Sequence, residues 1–480
     1  DLVRSASSER VSDASLSAFR VVLGVTLLLS SARLFAYGWI EPLYLAPQHQ
    51  FSFWGFAWVP RLDAPWLQCL VAGVGCAGAA LAMGWHTRLS ATTAFVTFTW
   101  LELMDKTLYL NHYYAVSLML LWLALTPSAT RWSWDARSVH RQQALSVSQG
   151  GRPEGAPEQG GLVTPECNLP VFVLWFFRAQ VAVIYVYAGV AKLNADWLLH
   201  AEPLQTWLLA RHDFPVFGAL FALAPTAFVF SWAGAIFDLM VIPALLYKPT
   251  RGFALIAVVV FHTLTGLLFP IGVFPLVMVA GATLFLKPTW PTELGERLRL
   301  VLRNGRSSAP PPPRRLGPLG VTPPMGAFTR SLLVSAMAVH LAIQVALPLR
   351  HLAMPGPVLW NEAGFRFSWR VMLAEKGGSL MYRVESADGR QRVVAPSEFL
   401  TPLQARMTST QPDMILEAAH WLSERHEIAG TPPRIYADAW VSLNGRPPAQ
   451  LIDPTVDLAA QRQALGTPSW ILPSPDSDSR

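Results

Sequence analysis

Residues Val181–Trp197 read VAVIYVYAGVAKLNADW, an apolar helix of membrane type that carries a lysine at its end. This position places Lys192 at the edge of the hydrocarbon, where burial disfavours the protonated form of an amine and lets it act as a base. The same side chain could instead extend to the lipid headgroups as an anchor, and the stretch taken alone favours that interpretation. The rest of the chain has to decide between the two roles.

The composition of the whole chain is that of an integral membrane protein. Of its 480 residues, 52% are hydrophobic and 14% are charged, and the mean hydropathy is +0.33. Soluble domains carry about 25% charged residues. The formal charge is +6, but no lysine-rich run interleaved with aromatic residues occurs, so the charge does not indicate nucleic-acid binding. Three cysteines are too few for a disulfide framework, and no Cys/His spacing typical of a metal site occurs.

Nine apolar segments predict membrane-spanning helices, since a span needs roughly 17–25 residues. The segments lie near Leu16–Tyr37, Trp66–Gly84, Leu89–Met104, Tyr113–Thr126, Val171–Val190, Phe217–Tyr247, Phe253–Leu268, Ile271–Leu286 and Ser331–Leu347. Nine spans put the two termini on opposite sides of the membrane.

Lys and Arg are concentrated in one set of alternate loops, while the opposite set carries Arg61, Lys106, Lys192 and Arg211. Positively charged loops stay in the cytoplasm, so we expect a cytoplasmic N terminus and an exoplasmic segment after the last span. Two linkers rich in Pro and Gly, residues 148–161 and 306–324, fall on the predicted cytoplasmic side.

The composition changes after the last span and becomes that of a mixed soluble sequence. The strand-like runs FRFSWRVMLAE, SLMYRVES, RQRVVAP and IYADAWVSLNG surround one amphipathic helix, MILEAAHWLSERH. We therefore predict an α-helical polytopic membrane domain over residues 1–348, with about nine transmembrane helices, followed by a small, mostly β exoplasmic domain over residues 349–480.

Costly polar side chains, several of which can act as bases, fall at one depth, near the predicted exoplasmic surface. Three separate segments supply them: Asp105, Lys106, Asn111 and His112; Lys192; and His262. Ionisable groups inside a membrane are costly and usually mark a functional site or an internal pair. A structural alternative for the histidines is that neighbouring helices satisfy them by hydrogen bonds. For Asp105 and Lys106 the alternative is an interfacial role, and the pattern favours that role.

The motifs DKTLYLNHYYAVSL, YVYAGVAKLNADWL and FHTLTGLLFPIGVFPLVMVA resemble the membrane core of the vitamin K-dependent γ-carboxylase family. FRFSWRVML, PRIYADAWVSLNGR and LIDPTVDL resemble its exoplasmic domain, so the similarity covers most of the chain. The resemblance implies oxygenation of vitamin K hydroquinone to its 2,3-epoxide, coupled to γ-carboxylation of peptidyl glutamate. The cofactors implied are the lipid quinol, O2 and CO2, with no metal, and the partners are the lipid bilayer and a glutamate-containing exported peptide or protein.

The resemblance implies roles for polar groups of the membrane core. Lys192 matches the family's catalytic base, which takes a proton from the hydroquinone so that the oxygenated quinone becomes the strong base toward glutamate. Ala191 stands where the family has a preceding lysine. Asn111 and His112 match an Asn-His pair that would hydrogen-bond the quinone oxygen and stabilise charge on the glutamyl carbanion.

Substrate-binding residues are implied in both domains. His262 matches a family histidine in the membrane core. Phe365, Arg366 and Trp369 fall in a stretch that the family uses to engage the glutamyl substrate, and an arginine is a suitable partner for a carboxylate. One departure concerns Trp421, which stands at the exoplasmic-helix position where animal members carry a cysteine joined to the membrane core.

Three functions stay open at this point. The first is a full carboxylase, the second is a vitamin K hydroquinone epoxidase without glutamate carboxylation, and the third is a non-enzymatic membrane protein that binds or transports lipid. The presence of Lys192, Asn111 and His112 argues against the third. The departures from animal members and the Arg/Ala/Pro-rich usage suggest a bacterial homologue in a cytoplasmic membrane.

Overall fold

The computed structural model describes residues 9–126, 131–135, 168–303, 325–427, 430–464 and 466–475. The two predicted linkers and Cys167 lie outside the described residues. Each of the nine predicted apolar segments coincides with a helix. These helices are α1 (Ala14–Ala36), α2 (Ala64–Met83), α3 (Thr87–Leu103), α4 (Asn111–Leu125), α5 (Val171–Ala191), α6 (Ala224–Leu246), α7 (Arg251–Leu268), α8 (Phe274–Thr283) and α9 (Ala327–Leu349).

The polytopic helical membrane domain is confirmed, whereas the count of nine spans stays a prediction. In the described ranges six helices are long and apolar enough to cross a bilayer: α1, α2, α5, α6, α7, and α9 with the turn that follows it. Helices α3, α4 and α8 have 17, 15 and 10 residues, at or below the lower end of the roughly 17–25 residues that a full crossing takes. All three nevertheless contribute side chains to the main apolar core.

Shorter elements connect the long helices. Strand β1 (Arg10–Ser12) pairs antiparallel with β2 (Asn168–Pro170), and this pairing joins the starts of α1 and α5. The other connecting elements are the helices Ala195–Leu199, Leu204–Leu209, Gly218–Phe221, Trp290–Arg303 and Val358–Asn361, the 3-10 turns Lys106–Leu108, Arg350–Ala353, Pro396–Glu398 and Leu458–Ala460, and a π-helical turn, Glu41–Leu45.

The C-terminal domain contains a four-stranded antiparallel sheet packed against helices. The strands are β3 (Lys376–Glu385), β4 (Gln391–Val394), β5 (Arg434–Leu443) and β6 (Ala449–Gln450), in the order β4-β3-β5-β6. Alternate residues of β5 are buried, as a period of two requires for a sheet with one covered face. Helices α10 (Pro402–Thr408) and α11 (Pro412–Arg425) pack against this sheet and close its core.

The prediction of a strand over FRFSWRVMLAE is wrong. Residues 365–375 form an irregular loop, in which Phe367, Trp369 and Met372 have φ of 59°, 57° and 56°. This left-handed region is costly for side chains other than glycine, and it is incompatible with a strand. Such strain persists only where surrounding contacts hold the backbone in place.

Ion pairs join the two domains. Lys106 Nζ lies 2.7 Å from Glu417 Oε2 and 2.9 Å from Asp413 Oδ2, both on α11. Arg446 Nη1 donates a hydrogen bond of 2.9 Å to Asp196 Oδ2. Although burial raises the pKa of Glu417, hydrogen bonds and the charge of Lys106 outweigh that effect and hold the pKa below its ordinary value. The face of the membrane domain that makes these contacts is called the docked face.

Helices α1 and α2 approach each other at two glycines. A Cβ atom placed on Gly78 would lie 2.7 Å from the carbonyl oxygen of Gly24, and one placed on Gly24 would lie 2.5 Å from the carbonyl oxygen of Gly78. Small residues let helix backbones pack closely in membranes, where dispersion contacts drive association.

We expect Gly78→Ala to lower the melting temperature in detergent, because the added methyl group forces α1 and α2 apart. Overpacking of this kind costs about 1–3 kcal/mol. Gly73→Ala on the same helix is the matched control, since a Cβ atom there would meet Thr97 Cγ2 at an ordinary 3.7 Å. Equal melting temperatures for the two variants would contradict the proposed packing.

We expect Lys106→Met to destabilise the protein, because Glu417 would stay buried as a carboxylate without its cation. Breaking a buried pair from one side costs about 3–5 kcal/mol. Thermal unfolding in detergent measures the loss. Arg392→Met is the control, since its exposed pair with Glu398, at 2.8 Å, is worth at most about 1 kcal/mol; a loss no larger than the control's would rule out a docking role for Lys106.

Candidate functional site

The side chain of Lys192, which follows the last residue of α5, folds back into the helix bundle. Its Nζ donates hydrogen bonds of 2.7 Å to Asp238 Oδ2 and 3.2 Å to the carbonyl oxygen of Ala188. Nζ also lies 5.2 Å from the centre of the Trp197 ring, and Lys192 is 5% exposed. Its amine therefore does not extend to the headgroups as the anchoring interpretation requires.

The local sequence explains how α5 and α6 bring these two side chains together. A Cβ atom on Gly189 would lie 2.9 Å from the side chain of Leu239 and 3.0 Å from its backbone nitrogen. The absence of a side chain at Gly189 thus permits close contact with α6, three residues before Lys192. Asn194 then caps the next short helix, and its Nδ2 donates a hydrogen bond of 2.8 Å to the carbonyl oxygen of Ala191, the last residue of α5. Asp238, beside Leu239, comes within reach of the amine.

Asp238 is the functional candidate that sequence reasoning missed. It lies within α6 in the apolar segment AGAIFDLMVIP and is 4% exposed. An ionisable residue inside such a helix usually marks a site or an internal pair, so the sequence did contain a signal. The partner could not be identified in the same way, because Lys192 is separated from Asp238 by 46 residues.

A cavity of about 220 Å³ lies between α5, α6, α7 and α8, and we call it the membrane cavity. Lys192, Asp238 and His262 supply its ionisable groups. Much of the remaining wall is aromatic or apolar: Tyr185, Phe230, Phe261, Phe269, Phe274 and Met278. Charges in such surroundings interact more strongly than in water. Within the described ranges, no three His, Cys, Asp or Glu side chains are grouped so that they could hold a metal ion.

The two predicted histidines share one aromatic neighbour, the ring of Phe274. His262 Nε2 shares a hydrogen bond of 2.8 Å with Tyr185 OH, while its Nδ1 is buried without a hydrogen-bond partner among the described residues. The centre of the Phe274 ring lies 5.7 Å from that of His262 and 5.4 Å from that of His112. His262 lines the membrane cavity, but His112 does not.

Asn111 binds the backbone of the C-terminal domain. Its Nδ2 donates a hydrogen bond of 3.0 Å to the carbonyl oxygen of Arg370. Arg370 belongs to residues 364–373, which we call the partition loop. Val371 and Met372 of this loop line the membrane cavity. The structure therefore places Asn111 beside the cavity, where it holds one of its walls.

The partition loop also lines a second cavity of about 510 Å³, which we call the outer cavity. Phe365 and Arg366 form part of its wall. Arg366 Nη1 donates a hydrogen bond of 2.7 Å to Asp413 Oδ2, and its Nη2 donates to Gln411. Although burial raises the pKa of Asp413, the charges of Arg366 and Lys106 hold it well below its ordinary value. Arg366, which was predicted to bind the carboxylate of the substrate, is thus already bound to a carboxylate of the protein.

Trp369 lines neither cavity. It is 1% exposed, and its ring stacks on Tyr114 of α4 with 5.1 Å between the ring centres. The hydroxyl of Tyr114 accepts a hydrogen bond of 2.6 Å from Gln344 Nε2 of α9. Trp369 therefore fixes the partition loop against the membrane domain and does not form a cavity wall.

Trp421 joins the domains through aromatic contacts. Its ring stacks on Phe399 at 5.0 Å between ring centres and lies 6.0 Å from the ring of His49, which belongs to the membrane domain. A non-covalent contact with the membrane domain thus occupies the position where the resemblance implies a cysteine in animal members.

Two family models match separate parts of the chain. The model described as HTTM domain matches residues 9–149 and 163–290, which include the helices around the membrane cavity. The model described as vitamin K-dependent gamma-carboxylase, lumenal domain, matches residues 329–477, which include the partition loop and the four-stranded sheet. No solved structure matches the chain. The two matches together show that this chain belongs to the vitamin K-dependent gamma-carboxylase family.

Proposed function

We propose that the chain couples the oxygenation of vitamin K hydroquinone, giving the 2,3-epoxide, to the γ-carboxylation of glutamate in an exported peptide or protein. Its co-substrates would be the lipid quinol, O2 and CO2, without a metal. The family matches imply a carboxylase-like enzyme. The observation that carries the finer proposal is the buried amine of Lys192, paired with Asp238 at 2.7 Å in an apolar cavity.

The lining of the membrane cavity suits the ring of a lipid quinol. Aromatic and aliphatic side chains would contact its faces, while polar groups would orient its oxygens. His262 Nδ1 supports this fit, because it is a buried polar atom without a protein partner in the part of the chain that is described. The chemistry that a bound quinol would supply is its own reaction with O2, which would drive removal of the γ-proton from glutamate.

Lys192 and Asp238 act in this proposal as one proton-accepting pair. Ammonium with carboxylate and amine with carboxylic acid both have zero net charge, so a desolvated site tolerates either arrangement. The second arrangement leaves a lone pair on Lys192 Nζ, which can take a proton from a hydroxyl group of the substrate. The ring of Trp197, 5.2 Å from Nζ, would stabilise the ammonium formed.

We propose the outer cavity as the place where the glutamyl peptide approaches. The partition loop lines both cavities, so peptide bound in the outer cavity would be close to the membrane cavity. Asn111 is bound to Arg370 of this loop. Release of that hydrogen bond would free the Asn111 amide, and with His112 it could then stabilise charge on the quinone or the glutamyl carbanion.

A second candidate is a quinol epoxidase that does not carboxylate glutamate. One observation favours it: the guanidinium of Arg366 already binds Asp413 and Gln411. A substrate carboxylate would have to displace those partners. The membrane cavity, with Lys192 and Asp238, would serve either candidate.

We also propose that the docked face and the C-terminal domain are exoplasmic and that the N terminus is cytoplasmic. Arg88, Arg251 and Lys287 lie near the helix ends remote from the docked face. An excess of positive charge in short loops keeps those loops in the cytoplasm. Accessibility of single cysteines to an impermeant reagent would test this orientation.

We expect the purified protein to form both epoxide and fixed label when it is given reduced vitamin K, oxygen, labelled bicarbonate and a short Glu peptide. Lys192→Ala should abolish both products, because the quinol would lose its base. Lys192→Met combined with Asp238→Leu is the folding control, since it removes both buried charges together. Epoxide without label across a series of Glu peptides would favour the epoxidase, and absence of both products from the folded wild type would contradict both candidates.

We expect Asp238→Asn to lower the kcat for epoxide formation about 10²–10⁴-fold, the usual contribution of a positioned acid or base. The quinol KM should change little, because the amide keeps the size of the side chain. Asp238→Glu should restore part of the rate. Asp196→Asn is the control, since it breaks an ion pair with Arg446 outside the cavity. If Asp238→Asn retained the wild-type kcat, Asp238 would have a structural role alone.

A further inference from the structure

The membrane cavity reaches the surface that the protein presents to lipid. Three lining residues are exposed: Val229 and Ala233 on α6, and Leu264 on α7. Val229 is 65% exposed and Leu264 is 38% exposed. Both helices are apolar enough to span a bilayer, and most of each spanning window is not buried inside the protein. Hydrocarbon would therefore cover this surface.

On the basis of the function proposed above, we propose that the membrane cavity opens to the bilayer between Val229 and Ala233 of α6 and Leu264 of α7, and that this opening is a lateral portal for a lipid quinol. The ring enters the membrane cavity sideways from the bilayer. The tail stays between the two helices, in contact with Val229, Ala233 and Leu264. The portal gives the tail of the quinol proposed above a binding place between α6 and α7, which a tail-less quinol that dissolves in water would leave empty.

The membrane cavity is too small to enclose both the ring and the tail of a lipid quinol, so the tail has to lie outside it. Its volume of about 220 Å³ is below the roughly 300–1,000 Å³ of pockets that enclose drug-sized ligands. A bicyclic ring can be enclosed, but an isoprenoid chain attached to it has to leave the cavity. Hydrocarbon accepts such a chain without exposing it to water.

The alternative direction, toward the docked face, is less suitable for an apolar chain. Val371 and Met372 of the partition loop line the cavity on the side of the C-terminal domain. Beyond that loop lies the outer cavity, whose wall includes Lys106, Arg366 and Asp413. A tail in that direction would meet charged groups. The portal side offers aliphatic side chains, and the small residue Ala233 leaves room for a chain to pass.

The test compares two quinols with the same ring, one with a long isoprenoid tail and one without a tail. In Ala233→Trp the indole occupies the space of the tail, so the KM for the tailed quinol should rise at least tenfold more than the KM for the tail-less quinol, whose ring passes the indole but does not stay beside it. Ile236→Trp is the matched control, because Ile236 is exposed on the same helix and does not line the cavity. Equal effects on both quinols, or no effect on either, would overturn the portal.

A second measurement does not depend on turnover. A quinone with a photoreactive diazirine near the end of its tail is irradiated with the wild-type protein in lipid nanodiscs, and the labelled residues are identified. Labels on the lipid-facing side of α6 and α7 support the portal, and labels confined to other helices or to the partition loop contradict it. If the wild type oxygenates neither quinol, the proposed function fails, while the labelling pattern still decides where a tail binds.

Discussion

The buried pair of Lys192 and Asp238 is the interaction on which the membrane domain depends. Either charge alone would be unacceptable at this depth, because desolvation of an unpaired ion costs far more than a single contact returns. Helices α5 and α6 must therefore meet at the height where the two side chains touch. The glycine at position 189 is a consequence of that requirement, since a side chain there would separate the helices. The pair to which we assign the proton transfer thus also fixes the relative height of two helices.

Much of the fold could be predicted because the bilayer restricts what a sequence can do. Segments of apolar residues have to become helices, and all nine predicted segments do so. How many of these helices cross the whole bilayer could not be predicted from the sequence in the same way. Helix α8, with 10 residues, is helical and apolar but short. Alternating burial along β5 likewise follows from its sequence pattern. Local periodicity determines an element, whereas its length relative to the membrane depends on how neighbours pack.

The site was less predictable, since its geometry depends on contacts between distant segments. Lys192 could be identified from its position and from the resemblance, but the ion pair with Asp238 required the packing of α5 on α6. For residues 365–375 the local pattern itself was misleading, because it predicted a strand where the chain forms an irregular loop. Their alternating aromatic and polar side chains serve two cavities and the surface of α4, and left-handed residues turn the backbone between them. Arg366, expected to face a substrate, is bound inside the domain.

The aromatic contact at Trp421 has a consequence for assembly. Stacking on Phe399 and proximity to His49 need no thiol chemistry, unlike a bond between two cysteines. At this position the association of the domains is therefore indifferent to the redox poise of its surroundings. A reductant that would separate such a tether leaves an aromatic cluster intact. The contact forms as the two domains dock, together with the ion pairs that Lys106 makes with the same helix, and it needs no covalent step.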